Sequence, residues 1–220
     1  MIFGRIDYLN LLPFSLFLKR RYPFLLTRSR RHKGPPSHIN RLFMRRQIDA
    51  AFISSIRSRG QKGTNIGIVA RGEVMSVLLL PSDVRQNDSE SETSNELARI
   101  LGLQGRVLIG DKALRHRLSG QKGTDLALEW HRQSGGLPFV FARLCYNSHG
   151  PLVHKIAKEF AASAKIRIPT YIKKREAARC QIPQEAIEHY LAKIHYKIDI
   201  KAARGLKRFL DAGKEQEYDA

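Results

Sequence analysis

The stretch Ile48-Asp49-Ala50-Ala51-Phe52-Ile53-Ser54-Ser55-Ile56 carries the clearest fold signal in the chain. Residues 49–53 form a short apolar run, which predicts a strand buried in a sheet. Two serines end this run, and their hydroxyl groups and following backbone amides can form a small anion-binding nest at the start of a helix. Consecutive serines at a strand end are also ordinary helix caps. Both interpretations place Ser54 and Ser55 at an edge of the sheet.

On either side of this stretch, segments with strand patterns alternate with segments with helix patterns. Apolar runs predict further strands in residues 2–8, 25–27, 65–70, 74–80, 106–109 and 139–145. Capping signals and helical spacing predict helices after Pro35, after Thr93 or Ser94, in residues 112–118, 125–133 and 202–210, and from Pro151 and Pro183. The alternation predicts an α/β fold with mostly parallel sheets, in which the carboxyl ends of the strands gather around a ligand site.

Two long apolar runs, residues 74–80 and 139–145, flank a compact middle segment of the chain. Such an arrangement is expected when a chain crosses into a second lobe and then returns to the first. We therefore predict two lobes with a cleft between them. Residues 1–75 and 147–220 form the first lobe, and residues 76–146 form the second.

The composition allows a large buried core, but the charge is unusual. The chain has 220 residues, of which 42% are hydrophobic, and a formal net charge of +19. This charge favours an anionic partner, which can be nucleic acid, a membrane surface or a small acidic metabolite. The basic residues are spread along the chain, and the densest run, residues 28–33, has no aromatic side chain for base stacking. We therefore expect no nucleic acid as partner, although a basic nucleic-acid-binding protein remains an alternative.

The sequence also bears on the cellular compartment. The apolar stretch 9–18 is interrupted by two polar residues and a proline and is followed by three basic residues, which is atypical of a signal peptide or a membrane span. The two cysteines, Cys145 and Cys180, lie far apart and lack the spacing of a zinc site or a disulfide framework. We expect a cytoplasmic protein with no metal site and no membrane partner.

Five segments carry a family resemblance through their order along the chain. They are Tyr8-Leu9-Asn10, the stretch 48–56 quoted above, Val74-Met75-Ser76-Val77, Leu108-Ile109-Gly110-Asp111-Lys112-Ala113-Leu114 and Gly136-Leu137-Pro138-Phe139-Val140-Phe141-Ala142. Together they resemble the chorismate dehydratases of the futalosine pathway of menaquinone biosynthesis. The C-terminal stretches 190–196 and 205–209 are similar to the closing helices of that family, so the resemblance spans nearly the whole chain.

The resemblance implies a type II periplasmic-binding-protein-like fold, with the active site in the cleft between the lobes and no metal or organic cofactor. It implies that the partner is chorismate, a small dianion, which loses its ring hydroxyl as water and becomes 3-[(1-carboxyvinyl)oxy]benzoate. Aromatisation of the ring drives this elimination. The same fold would equally support a non-catalytic protein that binds a small carboxylate, so this alternative stays open.

Asn10 and Ser76 are the predicted catalytic residues. Asn10 follows the first predicted strand, and its amide could bind the leaving hydroxyl or a carboxylate, although an Asn there can also cap the next helix. The resemblance makes Ser76 a substrate contact, whereas its hydroxyl could otherwise bond to backbone where two strands diverge. The motifs contain no clear base. We therefore expect the side-chain carboxylate of the substrate to accept the proton while these two residues fix its pose.

The predicted substrate-binding residues are Ser54, Ser55, Ser91, Thr93, Ser94 and Asp111. The polar stretch 82–95 is the best candidate for a mobile loop. Its last part directly precedes a predicted helix, whose free amides and dipole favour a carboxylate. Glu92 stands where the family usually has Arg, and it weakens an anion site unless it points outward or pairs. Asp111 is expected to orient this anion site or to cap the helix that follows. The segment between Ser94 and residue 109 is shorter than is usual in the family.

Overall fold

The computed structural model describes residues 1–163 and 166–215 of the chain. The strands are β1 Phe3–Gly4, β2 Ala50–Ser54, β3 Gly63–Ala70, β4 Val77–Leu80, β5 Arg106–Ile109, β6 Thr124–Asp125, β7 Phe139–Tyr146 and β8 Ile194–Lys197. The helices are α1 Leu12–Arg21, α2 Pro23–Arg28, α3 Pro36–Met44, α4 Glu92–Ile100, α5 Gly110–Leu118, α6 Leu126–Gln133, α7 Gly150–Ala162, α8 Thr170–Cys180, α9 Gln184–Ala192 and α10 Ile200–Glu215. Two short 3-10 helices, Leu9–Leu11 and Ser55–Ser58, complete the described elements.

The strands form two separate sheets. A five-stranded sheet has the order β1-β2-β7-β3-β8, and a three-stranded sheet has the order β5-β4-β6. Among the described strands, β1 and β2 pair in parallel, whereas the other neighbouring pairs are antiparallel. The prediction of mostly parallel sheets is therefore wrong. An alternation of strands and helices does not reveal strand direction, and here β7 inserts between β2 and β3 and runs opposite to both.

Residues 25–27, which were expected to form a strand, lie in helix α2. Pro23 occupies the first turn of this helix, where its fixed φ favours a helical start and its missing N–H group is not needed. Leu25 is fully buried, so this short apolar run buries one face of a helix as readily as it would bury a strand. The parallel partner of β1 is instead β2, which the chain reaches through α1, α2 and α3.

The polar stretch 82–95 is also more regular than predicted. Helix α4 begins within it, and the N-cap is Ser91 rather than Thr93 or Ser94. The side chain of Asn95 accepts a hydrogen bond from the amide of Asp88 (2.9 Å) and donates one to its carbonyl (2.8 Å). The stretch is therefore a capped helix start preceded by a loop that the same helix holds in place.

Aromatic contacts fix helices onto the five-stranded sheet. The ring of Phe14 in α1 meets Phe52 of β2 edge-on at 4.9 Å and Phe160 of α7 at 5.0 Å, measured between ring centroids. On β7, Phe139 meets Phe209 of α10 edge-on at 4.9 Å. Each such pair contributes about 0.5–1.5 kcal/mol beyond the burial of its apolar area. Helices α1 and α10 are thereby anchored to the same sheet, and α7 packs against α1.

The strands of the smaller sheet lie within residues 77–125, inside the predicted second lobe of residues 76–146. Strand β7 falls in the same predicted range but pairs in the larger sheet. The division into lobes stays a prediction, and the pairing of β7 favours a return to the first lobe before Phe139.

Candidate active site

A pocket lies between the two sheets. Phe52, Ile68 and Phe141 line it from the five-stranded sheet, and Val77 and Ile109 line it from the three-stranded sheet. The walls are therefore mainly apolar, and a few polar groups decide what the pocket can bind, as is usual for small-molecule sites.

Five of the eight predicted site residues line this pocket, and they are Asn10, Ser54, Ser76, Ser91 and Ser94. They come from well-separated parts of the chain, and the fold brings them together. None of the described residues that line the pocket is Lys or Arg. Across the described residues, His, Cys, Asp and Glu side chains form no group of three or more that could hold a metal ion.

Asn10 lies in the 3-10 helix that follows β1, and its backbone is held from both sides. The amide of the preceding Leu9 donates to Asp111 Oδ1 (3.1 Å), and the hydroxyl of Tyr196 donates to the carbonyl of Asn10 (2.7 Å). Among the described residues, none forms a hydrogen bond with the side-chain amide of Asn10. That amide is therefore positioned by its backbone and available to a ligand.

Ser76 follows a strained turn just before β4. Met75 has a φ of 65°, a left-handed conformation that costs a non-glycine residue about 1–2 kcal/mol. The buried Asp125 holds this turn, because its Oδ2 accepts hydrogen bonds from the amides of Val74 (3.0 Å) and Met75 (2.7 Å). Its Oδ1 accepts from two amides at the start of α6, both at 3.0 Å. Burial raises the pKa of the Asp125 carboxyl, against the opposing effect of these amides.

Both oxygens of Ser76 have partners within the protein. Tyr190 in α9 is buried, and its hydroxyl lies 2.9 Å from Ser76 Oγ. A phenol is more acidic than an aliphatic hydroxyl, so Tyr190 is the donor in this bond. Burial raises the pKa of Tyr190, which keeps its proton in place. The carbonyl of Ser76 accepts from the amide of Gly110 (2.8 Å).

Ser54, at the end of β2, is paired with the buried Asn40 of α3. The Nδ2 group of Asn40 donates to Ser54 Oγ (2.7 Å), and the amide of Ser54 donates to Asn40 Oδ1 (3.1 Å). The second bond fixes which end of the Asn40 amide is oxygen, because a backbone N–H can only donate. Ser54 Oγ is therefore an acceptor toward Asn40.

Ser91 and Ser94 form the polar wall at the start of α4. The Oγ of Ser91 accepts a hydrogen bond from the amide of Ser94 (3.1 Å), and the hydroxyl of Ser91 donates to Ser94 Oγ (2.8 Å). The N-terminus of a helix favours negative charge. This wall of the pocket therefore suits an anionic group.

Comparison with known proteins identifies the family. A sequence model of a family described as menaquinone biosynthesis matches residues 1–215. The chain is 42% identical over 221 aligned positions to a chorismate dehydratase of Campylobacter jejuni subsp. jejuni serotype O:23/36 (strain 81-176), and the match covers 97% of this chain and 98% of that protein. The chain belongs to the menaquinone biosynthesis family. The resemblance that the five motifs carry is thereby confirmed.

Solved structures show that this menaquinone biosynthesis family member has the predicted fold class. A protein from Archaeoglobus fulgidus superimposes with a TM-score of 0.63 at 10% identity and 98% coverage of both chains. A Candida albicans protein with the generic periplasmic binding protein fold superimposes with a TM-score of 0.51 at 9% identity, covering 98% of this chain and 90% of that one. The two-sheet α/β periplasmic-binding-protein-like architecture is thus confirmed. Among the described residues, no helix is long and apolar enough to cross a membrane.

Three predicted site residues of this family member lie outside the pocket lining. Ser55 is fully buried, and its hydroxyl donates to the carbonyl of Val140. Thr93 Oγ1 accepts from the amide of Ile56 (3.2 Å), which ties α4 to the segment after β2. Both side chains therefore join elements of the fold.

Asp111 is the third residue outside the pocket lining. Helix α5 already begins at Gly110, and its N-cap Ile109 has no side-chain cap, so Asp111 does not cap the helix as one expectation had it. Its Oδ1 accepts from the amide of Leu9 (3.1 Å), and its Oδ2 accepts from Arg179 Nη1 (2.7 Å). Asp111 therefore contacts the segment that carries Asn10 and does not itself line the pocket.

Glu92 does not disturb the polar wall at the start of α4. Its carboxylate forms a two-fold ion pair with Arg57, in which Arg57 Nη2 lies 2.9 Å from Glu92 Oε1 and Nε bonds to Oε2. The hydrogen bond with Glu92 raises the pKa of Arg57. The acidic side chain is thus paired outside the pocket. Because it is paired, Glu92 does not weaken an anion site at the start of α4.

Tyr8 is a lining residue that the sequence did not single out. Its hydroxyl donates to Glu90 Oε2 (2.6 Å), and Lys112 Nζ lies 3.2 Å from the same oxygen. Burial first, and Glu90 second, raise the pKa of Tyr8, so the hydroxyl remains a donor. Its ring packs against Gly110, where an added Cβ would lie 2.8 Å from a ring carbon.

The other supporting residues were missed for different reasons. Asn40 and Asp125 occur in segments that the sequence marks only as helical. Tyr190 and Tyr196 lie in the stretch 190–196, which resembles the family but contains no motif that assigns them a task. A polar residue in an otherwise apolar segment is the signal that could have found them, because a buried polar group needs a partner.

Proposed function

We propose that this chain is a chorismate dehydratase that eliminates water from chorismate to give 3-[(1-carboxyvinyl)oxy]benzoate for menaquinone biosynthesis. The observation that carries the proposal is the 42% identity to a chorismate dehydratase across 97% of the chain. The pocket supports it independently, because an apolar space with several hydroxyl groups fits a carbon ring that bears two carboxylates and a hydroxyl.

The pocket divides into parts with separate tasks in this proposal. The aromatic walls Phe52 and Phe141 take the ring. At the start of α4, Ser94 takes one carboxylate and Ser91 supports it by donating to Ser94 Oγ, and Ser54 contributes to binding the other carboxylate. Ser55, Thr93 and Asp111 support the site from outside the pocket, through the contacts that their side chains make with Val140, Ile56 and Leu9.

The elimination proceeds by loss of a proton and then of hydroxide. The C–H bond at the ether-bearing ring carbon breaks, and its electron pair is delocalised toward the ring carboxylate. The side-chain carboxylate of the substrate accepts the proton. The bond between the ring and its hydroxyl group then breaks as the new ring double bond forms. The hydroxide takes the proton from the side-chain carboxyl and leaves as water. Asn10 and Ser76 hold the substrate in the reactive pose, so catalysis rests on positioning and on hydrogen bonds to developing charge.

The remaining parts of the proposal concern partners and compartment. We place the enzyme in the cytoplasm, where chorismate is encountered without an export step. The reaction as written needs no metal or organic cofactor, so activity should survive a chelator. The net charge of +19 attracts the dianionic substrate and is not used for nucleic acid or membranes.

Incubation of the purified chain with chorismate tests the proposal, with the enolpyruvyl-benzoate product followed by chromatography. We expect Asn10→Ala and Ser76→Ala each to lose most of the turnover while keeping the fold, because each change removes a polar group without removing core volume. Asn10→Ala should unfold close to the wild-type temperature, whereas Ser76→Ala should unfold at a lower temperature, because it leaves the buried Tyr190 hydroxyl without its partner. Asn65→Ala, at an exposed position in β3, is the matched control and should keep full activity. Binding of chorismate without any product would instead support the non-catalytic carboxylate-binding alternative.

A further inference from the structure

The serine hydroxyls of the pocket share a feature that no single motif reveals. Each oxygen already accepts a hydrogen bond from a protein donor, namely Asn40 Nδ2 for Ser54, the Tyr190 hydroxyl for Ser76, the Ser94 amide for Ser91 and the Ser91 hydroxyl for Ser94. We propose that Asn40 and Tyr190 are positioning residues that make Ser54 and Ser76 hydrogen-bond donors toward the pocket, so that the site selects oxygen acceptors such as carboxylates. This inference deepens the proposed function and rests on it.

The pair of Asn40 and Ser54 gives the clearest case. Asn40 is buried, with 3% of its surface exposed. Its Oδ1 is occupied by the amide of Ser54, so the group that faces Ser54 Oγ must be the NH2 group, which can only donate. The serine oxygen accepts this bond, and the serine hydrogen needs an acceptor elsewhere. Since Ser54 lines the pocket, a bound carboxylate oxygen can supply that acceptor.

The pair of Tyr190 and Ser76 repeats this arrangement on the other side of the pocket. Tyr190 is 1% exposed, and its hydroxyl has Ser76 Oγ as its partner at 2.9 Å. An unpaired phenol hydrogen in the core would cost the desolvation of a polar group, so the donation is enforced by burial. The carbonyl of Ser76 is also occupied. The hydroxyl hydrogen of Ser76 therefore points to whatever binds in the pocket.

The lack of cationic side chains gives these donors their importance. None of the described lining residues is Lys or Arg, so anionic oxygens in the pocket must be bound by hydroxyls, amides and the start of α4. A fixed donor contributes more than one that must first rotate away from another partner, because no reorganisation is needed when charge develops. The buried partners thus set the polarity of the pocket without touching the ligand.

Tyr190→Phe tests the Ser76 arm at constant shape. We expect kcat/KM for chorismate to fall roughly 3- to 10-fold, the range given by one neutral hydrogen bond, with most of the loss in kcat. In a Ser76→Ala background the same change should cost less than about 2-fold, because residues that act through one another are not additive. A purely structural role would give the same loss in both backgrounds. Tyr22→Phe, which removes another buried hydroxyl next to Glu159 and outside the pocket lining, should leave the kinetics unchanged.

Asn40→Asp tests the Ser54 arm by reversing its polarity. A carboxylate can only accept, so Ser54 must turn its hydrogen away from the pocket. We expect the KM for chorismate to rise roughly 10- to 100-fold, which corresponds to losing a hydrogen bond to a charged group and facing a new negative charge. Asn65→Asp, which adds the same charge at an exposed site on β3, should change the KM by less than about 2-fold.

The outcomes separate the inference from the function on which it rests. If the wild type is active but Tyr190→Phe lowers kcat/KM by the same factor in the wild-type and Ser76→Ala backgrounds, the inference alone is overturned. An active wild type in which folded Asn40→Asp binds chorismate normally does the same. A wild type that neither binds nor converts chorismate overturns the proposed function and the inference together. If Asn40→Asp does not fold, the comparison of Tyr190→Phe in the wild-type and Ser76→Ala backgrounds decides whether the inference holds.

Discussion

Asp125 offers the sharpest test of how the pocket is built, because one buried carboxylate joins the turn before Ser76 to the start of α6. Its two oxygens accept four backbone hydrogen bonds, from Val74 and Met75 before Ser76 and from two amides at the start of α6. Asp125→Asn keeps the shape of the side chain but replaces one acceptor oxygen by an NH2 group. That group faces two backbone N–H donors whichever way the amide is turned.

The size of the effect follows from the bonds that are lost. Two buried backbone amides lose their acceptor, at about 1–3 kcal/mol each, which gives roughly 2–6 kcal/mol in the free energy of unfolding. This is a large part of the total stability of about 5–15 kcal/mol that is typical of a domain. The left-handed conformation of Met75 loses its support at the same time, so Ser76 is no longer aimed at the pocket. We therefore expect activity to fall further than stability alone explains.

The assay combines urea unfolding with chorismate turnover under conditions in which the variant is folded. Asp88→Asn is the matched control, because the carboxylate of Asp88 accepts one backbone hydrogen bond, from Glu90 (2.9 Å), which an Asn oxygen can still accept. It should unfold within about 0.5 kcal/mol of wild type. If Asp125→Asn were equally close to wild type in stability and activity, the account of the turn before Ser76 would be wrong.

Three further predictions test separate parts of the molecule. In chemical denaturation, Gly110→Ala should lower the free energy of unfolding by roughly 2–4 kcal/mol, since its φ is +68° and the new Cβ would lie 2.8 Å from the ring of Tyr8. The control Gly120→Ala, with φ +75° and nothing within 4 Å of the new Cβ, should lower it by only about 1–2 kcal/mol. The hydrogen bond from Arg71 lowers the pKa of Asp199 from 3.8, so this carboxylate stabilises the fold above that pH and loses its effect as the pH falls through the lower folded-state pKa. The midpoint of urea unfolding of Asp199→Asn should lie below that of wild type at neutral pH and meet it in strong acid, and a gap that persists in strong acid would contradict the assignment. The second-order rate constant for chorismate should decline gently with ionic strength and be insensitive to added duplex DNA or RNA, whereas tight nucleic-acid binding at physiological salt would refute the assigned partner.

The elements of this fold were largely predictable, but their directions were not. Runs such as residues 65–70 and 106–109 became strands because their apolar side chains must be buried, and that requirement is local. Strand direction depends on where β7 inserts, and nothing within β7 itself encodes a position between β2 and β3. The helix α2 shows the same limit on a small scale, since Pro23 and a short apolar run satisfy two secondary structures equally well.

The candidate site was predictable where its residues lie in motifs and not where they act through others. Ser54 and Ser76 were found because each sits at a strand boundary in a segment that resembles a family. Their partners Asn40 and Tyr190 are separated from them by 14 and 114 residues, and such pairs exist only once the core has packed. Thr93 and Ser55 illustrate the converse, because hydroxyls next to a site serve the backbone as readily as a ligand.

The basic surface and the pocket must solve different parts of recognition. A net charge of +19 produces a field that raises the rate of encounter with a dianion, but at physiological salt this field decays within about 8 Å. Inside the pocket, the described lining residues include no Lys or Arg, so close attraction cannot come from a facing cation. Tight ion pairing would also hold an anionic product as firmly as the substrate. In the proposed function, hydroxyl donors such as Ser54 and Ser76, fixed by buried partners, instead bind through geometry, which can distinguish a flattened aromatic ring from the puckered ring that precedes it. We therefore propose that the surface governs how fast chorismate arrives and that the serines govern which ring is retained.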